Sequence, residues 1–310
     1  MSMRTVVVGG SGFLGGAIVR ELLRRGDSVK VLDRAASRTS IEQQFGAGVT
    51  AAGGDILDRA SLRRAFRGAD EVYHCAGRLG TSELEDDVVG AIDANISGTV
   101  NVFEAAIATG VSVVFYPSKP NVWLNAYTIT KVAAEQFAKL YEARDGVRIC
   151  SLRYFNAYGP GQALGPVRKI IPTFAVQALH GRPLTVYGDG EQTVDMIYSA
   201  DIARITVDFV RAGCQGEPMD CGRGVALTVN DVAAAVNAYF RNAADVVHLP
   251  MRPGECPGTK LVADIRPLER RLGSLAFAGW TDSLAETLSW YAALDDARLT
   301  DAAALSDNVA

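Results

Sequence analysis

The chain has 310 residues, 48% of them hydrophobic and 21% charged, with a formal net charge of −4. That balance excludes a disordered or collagen-like chain, and the negative charge gives no support to a phosphate-backbone partner, so no nucleic acid is expected. The five cysteines are widely spaced without a C-x-x-C pair, and the three histidines lack ligand spacing, which argues against a disulfide framework and a metal centre.

In chain order, Thr5–Gly9 reads as a buried strand and Phe13–Arg25 as a helix. Ser28–Asp33 is a second strand and Val49–Asp55 a weaker third. Helix Ser61–Phe66 leads to strand Glu71–Cys75, followed by a helical stretch from about Asp86 to Ala108. Strand Val111–Tyr116, helix Tyr127–Ala143 and strand Val147–Leu152 complete an alternation that implies βαβ crossovers and a parallel sheet covered on both faces. After a Gly/Pro loop at 159–166 come helix Lys169–His180, strand Leu184–Tyr187, strand Met196–Tyr198 and helix Ala200–Arg211. The rest, to about Tyr291, is shorter mixed α/β, and the tail 295–310 is expected to fray. No apolar run reaches the ~18 residues of a membrane span. The apolar stretch Thr5–Val19 carries five glycines and runs into a charged helix, so it reads as structure and not as a signal peptide. A cytoplasmic location is expected.

Gly9, Gly12 and Gly15 form a G-x-x-G-x-x-G loop between the first strand and the first helix, with Phe13 and Leu14 opening the helix. Such a loop lets backbone approach a pyrophosphate at the helix N-terminus. Taken alone it is equally a glycine-rich turn without a ligand. Asp33 closes the second strand 18 residues later, where a carboxylate accepts hydrogen bonds from a ribose diol and repels a 2′-phosphate. Loop and acid together predict a dinucleotide site that favours NAD over NADP, with Arg34 weakening the preference. Further on, Tyr127 and Lys131 stand four residues apart at a helix start, on one face. A surface Tyr–Lys pair is the commoner meaning of that spacing. Ser118, nine residues upstream, adds a hydroxyl, and the three together at the carboxyl ends of a parallel sheet form a candidate catalytic set. Lowering the Tyr127 pKa toward neutrality takes roughly 4 kcal/mol, which Lys131 and a positively charged nicotinamide could supply.

These residues resemble the extended short-chain dehydrogenase/reductase family, in its nucleotide-sugar epimerase branch, over about residues 3–292. The resemblance rests on the glycine loop, GDILD at 54–58, VYHCAG at 72–77, NISGT at 95–99, Y-x-x-x-K at 127–131, LRYFNAYGPGQ at 152–162, VYGDGEQT at 186–193 and RPGE at 252–255. It implies a Rossmann-type doubly wound α/β fold: a dinucleotide-binding domain of 1–158 plus about 195–221, and a smaller mixed α/β domain of about 159–194 plus 222–294 for a nucleotide-diphosphate sugar. By the same resemblance Asp55 and Ile56 flank the adenine, Cys75, Ala76 and Gly77 line the cofactor, Asn95 stands behind the active site, and Tyr154 packs by the nicotinamide, with Tyr127 and Lys131 also touching the cofactor. Asn156, Lys169, Thr185, Tyr187 and Arg252 fall where relatives hold the substrate's nucleotide and phosphates, beside Ser118 at the sugar. Core packing for Tyr154 and plain surface for Lys169, Thr185 and Tyr187 are the alternatives.

Two departures stand out. Relatives carry Arg where this chain has Val194, which leaves the diphosphate to Arg252 and Lys169. The interval from Ser118 to Tyr127 is short and lacks a carboxylate, with Lys119 and Pro120 where dehydratases carry an Asp-Glu pair. Dehydratase and decarboxylase readings are disfavoured on that ground. The resemblance thus implies an NAD-dependent 4-epimerase acting through a transient 4-keto sugar. The alternatives are a 4-keto-sugar reductase and a non-catalytic dinucleotide-binding protein. Relatives dimerise through two long helices, so a homodimer through about 86–108 and 127–143 is expected.

Overall fold

The computed structural model describes residues 2–120, 123–252, 255–295 and Leu299. Most of the tail expected to fray lies outside the described residues. The first half runs β1 (Arg4–Val8), α1 (Phe13–Arg24), β2 (Ser28–Asp33), α2 (Arg38–Phe45), β3 (Val49–Gly53), α3 (Arg59–Phe66), β4 (Glu71–His74), α4 (Val88–Ile92), a π-helical turn (Asp93–Ser97), α5 (Gly98–Thr109), β5 (Val113–Ser118), α6 (Ala126–Asp145) and β6 (Arg148–Tyr154). The second half adds β7 (Asn156–Tyr158), α7 (Ile170–Leu179), β8 (Leu184–Tyr187), β9 (Thr193–Val194), β10 (Met196–Tyr198), α8 (Ser199–Arg211), β11 (Met219–Cys221), β12 (Leu227–Thr228), α9 (Val229–Phe240), β13 (Val246–Leu249), α10 (Arg266–Leu272) and α11 (Trp280–Ala292).

Seven strands form one parallel sheet in the order β11-β6-β5-β4-β1-β2-β3, the Rossmann order with β11 added at one edge. The winding reverses between β1 and β4, which opens a crevice at their carboxyl ends. Both faces are covered, so the alternate side chains of each strand enter two different cores. Val7, Val31 and Phe115 pack with Ile18 and Leu22 of α1 and Ile202 and Phe209 of α8. Val6, Val8, Val114 and Tyr116 pack with Phe66 of α3, Phe103 of α5 and Ala134 and Ala138 of α6. A third core draws on α7, β8, α9 and α11 through Phe174, Val186, Val232 and Leu288. β10 serves two cores: Ile197 faces the first, while Met196 and Tyr198 belong to the third. No helix among the described residues is long and apolar enough to cross a membrane.

Three local features differ from expectation. β5 runs from Val113 to Ser118 and not from Val111, because its pairing begins at Glu71 and Arg148 on its neighbours. That shift makes Ser118 the last residue of the strand. The long helix is interrupted by the π turn at Asp93–Ser97, which carries Asn95. Finally, α2 has no counterpart in the sequence reading: only Ile41 of its RTSIEQQF is buried, so it shows no helical apolar period, and a Ser37–Ser40 capping box starts it.

Candidate active site

The turn from β1 into α1 is built on close backbone approach. Gly9 has φ +77, and a Cβ there would lie 2.6 Å from the Ala76 backbone nitrogen. A Cβ on Gly15 would lie 2.2 Å from the Gly9 carbonyl oxygen. Gly12 is the N-cap of α1 and no side chain caps the helix. Its first turn, Phe13, Leu14 and Gly15, therefore offers N–H groups at the positive end of the helix dipole, a site suited to a pyrophosphate. At the end of β2, Asp33 Oδ2 accepts from the Ser11 hydroxyl, and Oδ1 remains to accept from a ribose. Arg34 beside it is exposed.

After β3, Asp55 Oδ1 accepts from Leu57 N at 2.9 Å, and the Ile56 side chain packs on Gly98, where a Cβ would lie 2.5 Å from Ile56 Cδ1. Cys75, Ala76 and Gly77 follow β4 beside the glycine turn. Burial pushes the Cys75 thiol up to about 12, so it stays protonated. Asn95 accepts from Arg78 N at 2.8 Å and donates to Arg78 O at 3.0 Å and Thr130 Oγ1 at 3.1 Å. These residues fit a dinucleotide: the cradle excludes Cβ atoms where a pyrophosphate needs backbone, and an acceptor stands where a ribose needs one.

Ser118, at the tip of β5, is 4% exposed, and its hydroxyl has no partner among the described residues. Tyr127 and Lys131 lie one turn apart on α6, which Asn125 starts by accepting from Thr128 N at 2.9 Å. The Lys131 ammonium lies over the Tyr116 ring, 4.1 Å from its centroid, and burial brings Lys131 down to about 7. Burial also pushes the Tyr127 phenol above its ordinary value. Desolvation disfavours the charged form of both, so the pair does not by itself make a phenolate. The cation over the Tyr127 ring is Lys119, 5.5 Å from the centroid and bonded to Thr128 Oγ1 at 2.7 Å.

A second group gathers where the third core meets the sheet. Arg252 lies 5.0 Å over the Tyr187 ring and pairs with Glu255. Arg168 donates to the Tyr187 hydroxyl at 2.7 Å. Lys169, the N-cap of α7, is held below its ordinary value by burial, with Arg252 adding to the effect and Glu83 and Glu255 opposing it. Asn156 on β7 keeps a buried Oδ1 without a partner among the described residues. Lys119, held down to about 8 by burial and then by Lys169, links this group to the hydroxyl site.

Two expected contacts do not join these groups. Tyr154 sits in the first core, its hydroxyl 2.5 Å from Thr206 Oγ1 and its ring 5.9 Å from Phe115, so its side chain contributes packing. Thr185 is tied to α7, its hydroxyl accepting from Gln177 Nε2 at 2.8 Å. Val194 is buried in the third core. Sequence reasoning missed Lys119 and Arg168 as cations of the site. Both stand directly beside residues it did select, Ser118 and Lys169. It also missed the carboxylates of the β4–α4 loop, where Glu83 accepts from Arg168 N and Glu85 from Ala126 N, each at 3.3 Å.

Residues 5–222 match the model of the NAD dependent epimerase/dehydratase family. A UDP-N-acetyl-alpha-D-glucosaminuronate decarboxylase from Bacillus cytotoxicus is 26% identical, over 96% of this chain and 100% of its own. An epimerase from Methanothermobacter thermautotrophicus superposes with a TM-score of 0.87 at 27% identity, covering 94% of this chain and 92% of that one. The UDP-glucose 4-epimerase of Thermus thermophilus, solved with NAD, gives 0.82 at 27% identity over 94% of this chain and 100% of its own.

Proposed function

Because this chain belongs to the NAD dependent epimerase/dehydratase family, whose cofactor is NAD, we propose that it is a 4-epimerase of a nucleotide-diphosphate sugar. NAD, when bound, would supply a reversible hydride acceptor for the C4 carbon of the sugar. Gly9, Gly12, Phe13, Leu14 and Gly15 would hold its pyrophosphate and Asp33 its adenosine ribose, with Asp55 and Ile56 at the adenine and Cys75 to Gly77 along its length. The unpaired Ser118 hydroxyl would bond the C4 oxygen, and Tyr127 would take the C4 hydroxyl proton. Since burial opposes the phenolate, the charges of Lys131 and Lys119 favour that proton's transfer. Asn156, Lys169, Tyr187 and Arg252 would bind the diphosphate and base, a guanidinium being suited to two phosphate oxygens.

The observation that carries epimerisation is the chain directly after Ser118. Lys119 and Pro120 leave no carboxylate directly after Ser118, where an Asp-Glu pair would serve the elimination of water as acid and base. A closed cycle also suits NAD better than net reduction of a supplied ketone. The test is to denature freshly purified protein, identify the nucleotide released, and follow C4 inversion of nucleotide sugars by NMR. Stoichiometric NAD(H) with inversion is expected; an empty protein preferring NADPH would transfer the assignment to a ketone reductase. Decarboxylation of a uronate is the second reading, favoured by the Bacillus cytotoxicus relative and by Glu83 and Glu85 at the walls of the site.

A homodimer and a cytoplasmic location belong to the same proposal. Val88, Val89 and Ile92 of α4 and Ile129, Phe137 and Leu140 of α6 are exposed apolar residues on the helices expected to pair. Light scattering after gel filtration should give twice the chain mass, and a monomer would remove the dimer. The free cysteines suit a reducing compartment.

A further inference from the structure

The epimerase reading uses Lys119 only as a field on Tyr127, which leaves its charge without an anion. Its Nζ bonds Thr128 Oγ1 at 2.7 Å and lies between two rings, 5.6 Å from the Trp123 centroid and 5.5 Å from the Tyr127 centroid. No carboxylate among the described residues pairs with it. Asn125 meets the same threonine: its Oδ1 accepts from Thr128 N, which commits the oxygen to capping α6. The Asn125 Nδ2, on a residue 5% exposed, has no acceptor among the described residues. An ammonium and an amide thus stand against Thr128 at the start of α6, the ammonium without an anion and the amide without an acceptor among the described residues.

Resting on the nucleotide-sugar reading, we propose that this wall receives a carboxylate carried by the sugar, and that the substrate is a nucleotide-diphosphate hexuronate. A half-buried cation and a buried amide donor are costly unless matched, and a carboxylate offers one negative charge and about four lone-pair sites. A ring hydroxyl or an acetamido group satisfies donors but leaves the charge uncompensated. The diphosphate has cations of its own around Tyr187, in Arg168, Lys169 and Arg252.

The pairing also bears on the chemistry. Once C4 is a ketone, a C6 carboxylate makes a β-keto acid. Its loss as carbon dioxide breaks the C5–C6 bond, moves that electron pair toward the C4 oxygen, and ends with a proton added at C5. Carbon dioxide leaves neutral, so an ammonium held on the carboxylate stabilises the state before cleavage more than the transition state. Lys119 therefore retains the carboxylate until the hydride returns.

The protein with bound NAD is titrated calorimetrically with UDP, dTDP and GDP, then with glucose and glucuronate carried on whichever nucleotide binds. We expect the glucuronate to bind about tenfold tighter than the glucose, a preference that Lys119→Met abolishes and Lys119→Arg restores in part. The bare nucleotide should bind all three proteins alike, which also shows them folded. During turnover of the glucuronate, Lys119→Met should release more carbon dioxide per C4 inversion than wild type. Equal wild-type affinity for the two sugars overturns the proposal while leaving the nucleotide-sugar reading intact. So does a Lys119→Met protein that loses the bare nucleotide equally, which would place Lys119 on the phosphates, or one with unchanged carbon dioxide release. Failure of all three nucleotides to bind overturns both readings.

Discussion

The Lys131 ammonium rests on the Tyr116 ring, 4.1 Å from its centroid, and makes no hydrogen bond to the Tyr127 phenol one turn earlier on the same helix. Burial there brings Lys131 to about 7 from an ordinary 10.5, and Lys119 to about 8. The unfolded chain keeps both protons through the neutral range, whereas the folded chain releases them above pH 7 and pH 8. The unfolded state then binds more protons, so stability rises with pH from about 7 to about 9, by at most about 1.4 kcal/mol per pH unit for each lysine. Above pH 9 the rise levels off, because Cys75 and Cys150, pushed up to about 12 by burial, ionise first in the unfolded chain and offset the two lysines until these titrate there near 10.5. Urea midpoints at pH 6.5 and 8.5 check this: the second should be higher, and Lys131→Met should flatten the difference. A midpoint that falls over that interval would contradict the burial of both lysines.

Adjacent glycines in the cradle should respond in opposite directions to the same methyl group. An alanine Cβ at Gly15 meets two backbone groups, the Gly9 oxygen at 2.2 Å and Gly10 Cα at 3.0 Å, so the turn must open. Gly15→Ala should cost about 1–3 kcal/mol and abolish NADH binding. At Gly16 the nearest atoms are flexible or distant, beginning with Gln44 Nε2 at 3.5 Å. Gly16→Ala should be neutral or add up to about 1 kcal/mol through helix propensity. Urea denaturation and NADH fluorescence on the two variants decide the matter, and equal losses in both would refute the close-approach account.

Asp33 sets the cofactor preference if its free oxygen faces a ribose diol. Removing the carboxylate removes repulsion of a 2′-phosphate and leaves the exposed Arg34 beside it. Asp33→Ser should therefore weaken NADH and tighten NADPH, changing the ratio of dissociation constants by about tenfold or more. Direct titration of both reduced cofactors measures it. An unchanged ratio would place the ribose elsewhere.

What the sequence disclosed follows from how each element is stabilised. β1 is legible because a strand buried on both faces must be apolar throughout, as Val6, Val7 and Val8 are. α2 is not, since its single buried residue leaves no period to detect. At the site, the glycine loop announces itself because backbone approach restricts the residue type. Lys119 and Arg168 do not, because their environments come from elements brought together only by the fold: Lys119 meets Lys169, 50 residues away in the chain. For Tyr154 the type is right for a cofactor wall, but whether its ring faces the crevice or Phe115 depends on strand register. The same holds for Lys131, which four-residue spacing places beside Tyr127 and the packed sheet places on Tyr116.

Asn95 joins the two halves of the site without having a free polar atom. It is 3% exposed, and its side chain bonds the Arg78 N–H, the Arg78 carbonyl and Thr130 Oγ1. The loop after β4 is thereby fixed to α6 at the residue preceding Lys131. The π turn supplies the extra residue per turn that distinguishes Asn95 from a position on a regular helix, a feature common at functional sites. Gly77 must stay small for this, since a Cβ there would lie 3.0 Å from Asn95 Oδ1. Asn95→Ala leaves the Arg78 N–H and carbonyl unmatched and removes a donor from Thr130 Oγ1, which keeps its bond to the Tyr127 carbonyl; this should cost about 1–3 kcal/mol of stability. On the proposed roles of Tyr127 and Lys131, which flank its partner Thr130 on α6, Asn95 would act by positioning them, and kcat should fall with little change in the KM of the sugar. Asn95→Asp, which keeps the acceptor for Arg78 N–H and loses both donors, should fall between wild type and alanine. A rise in KM at constant kcat would instead make Asn95 a substrate ligand, which its three internal hydrogen bonds oppose.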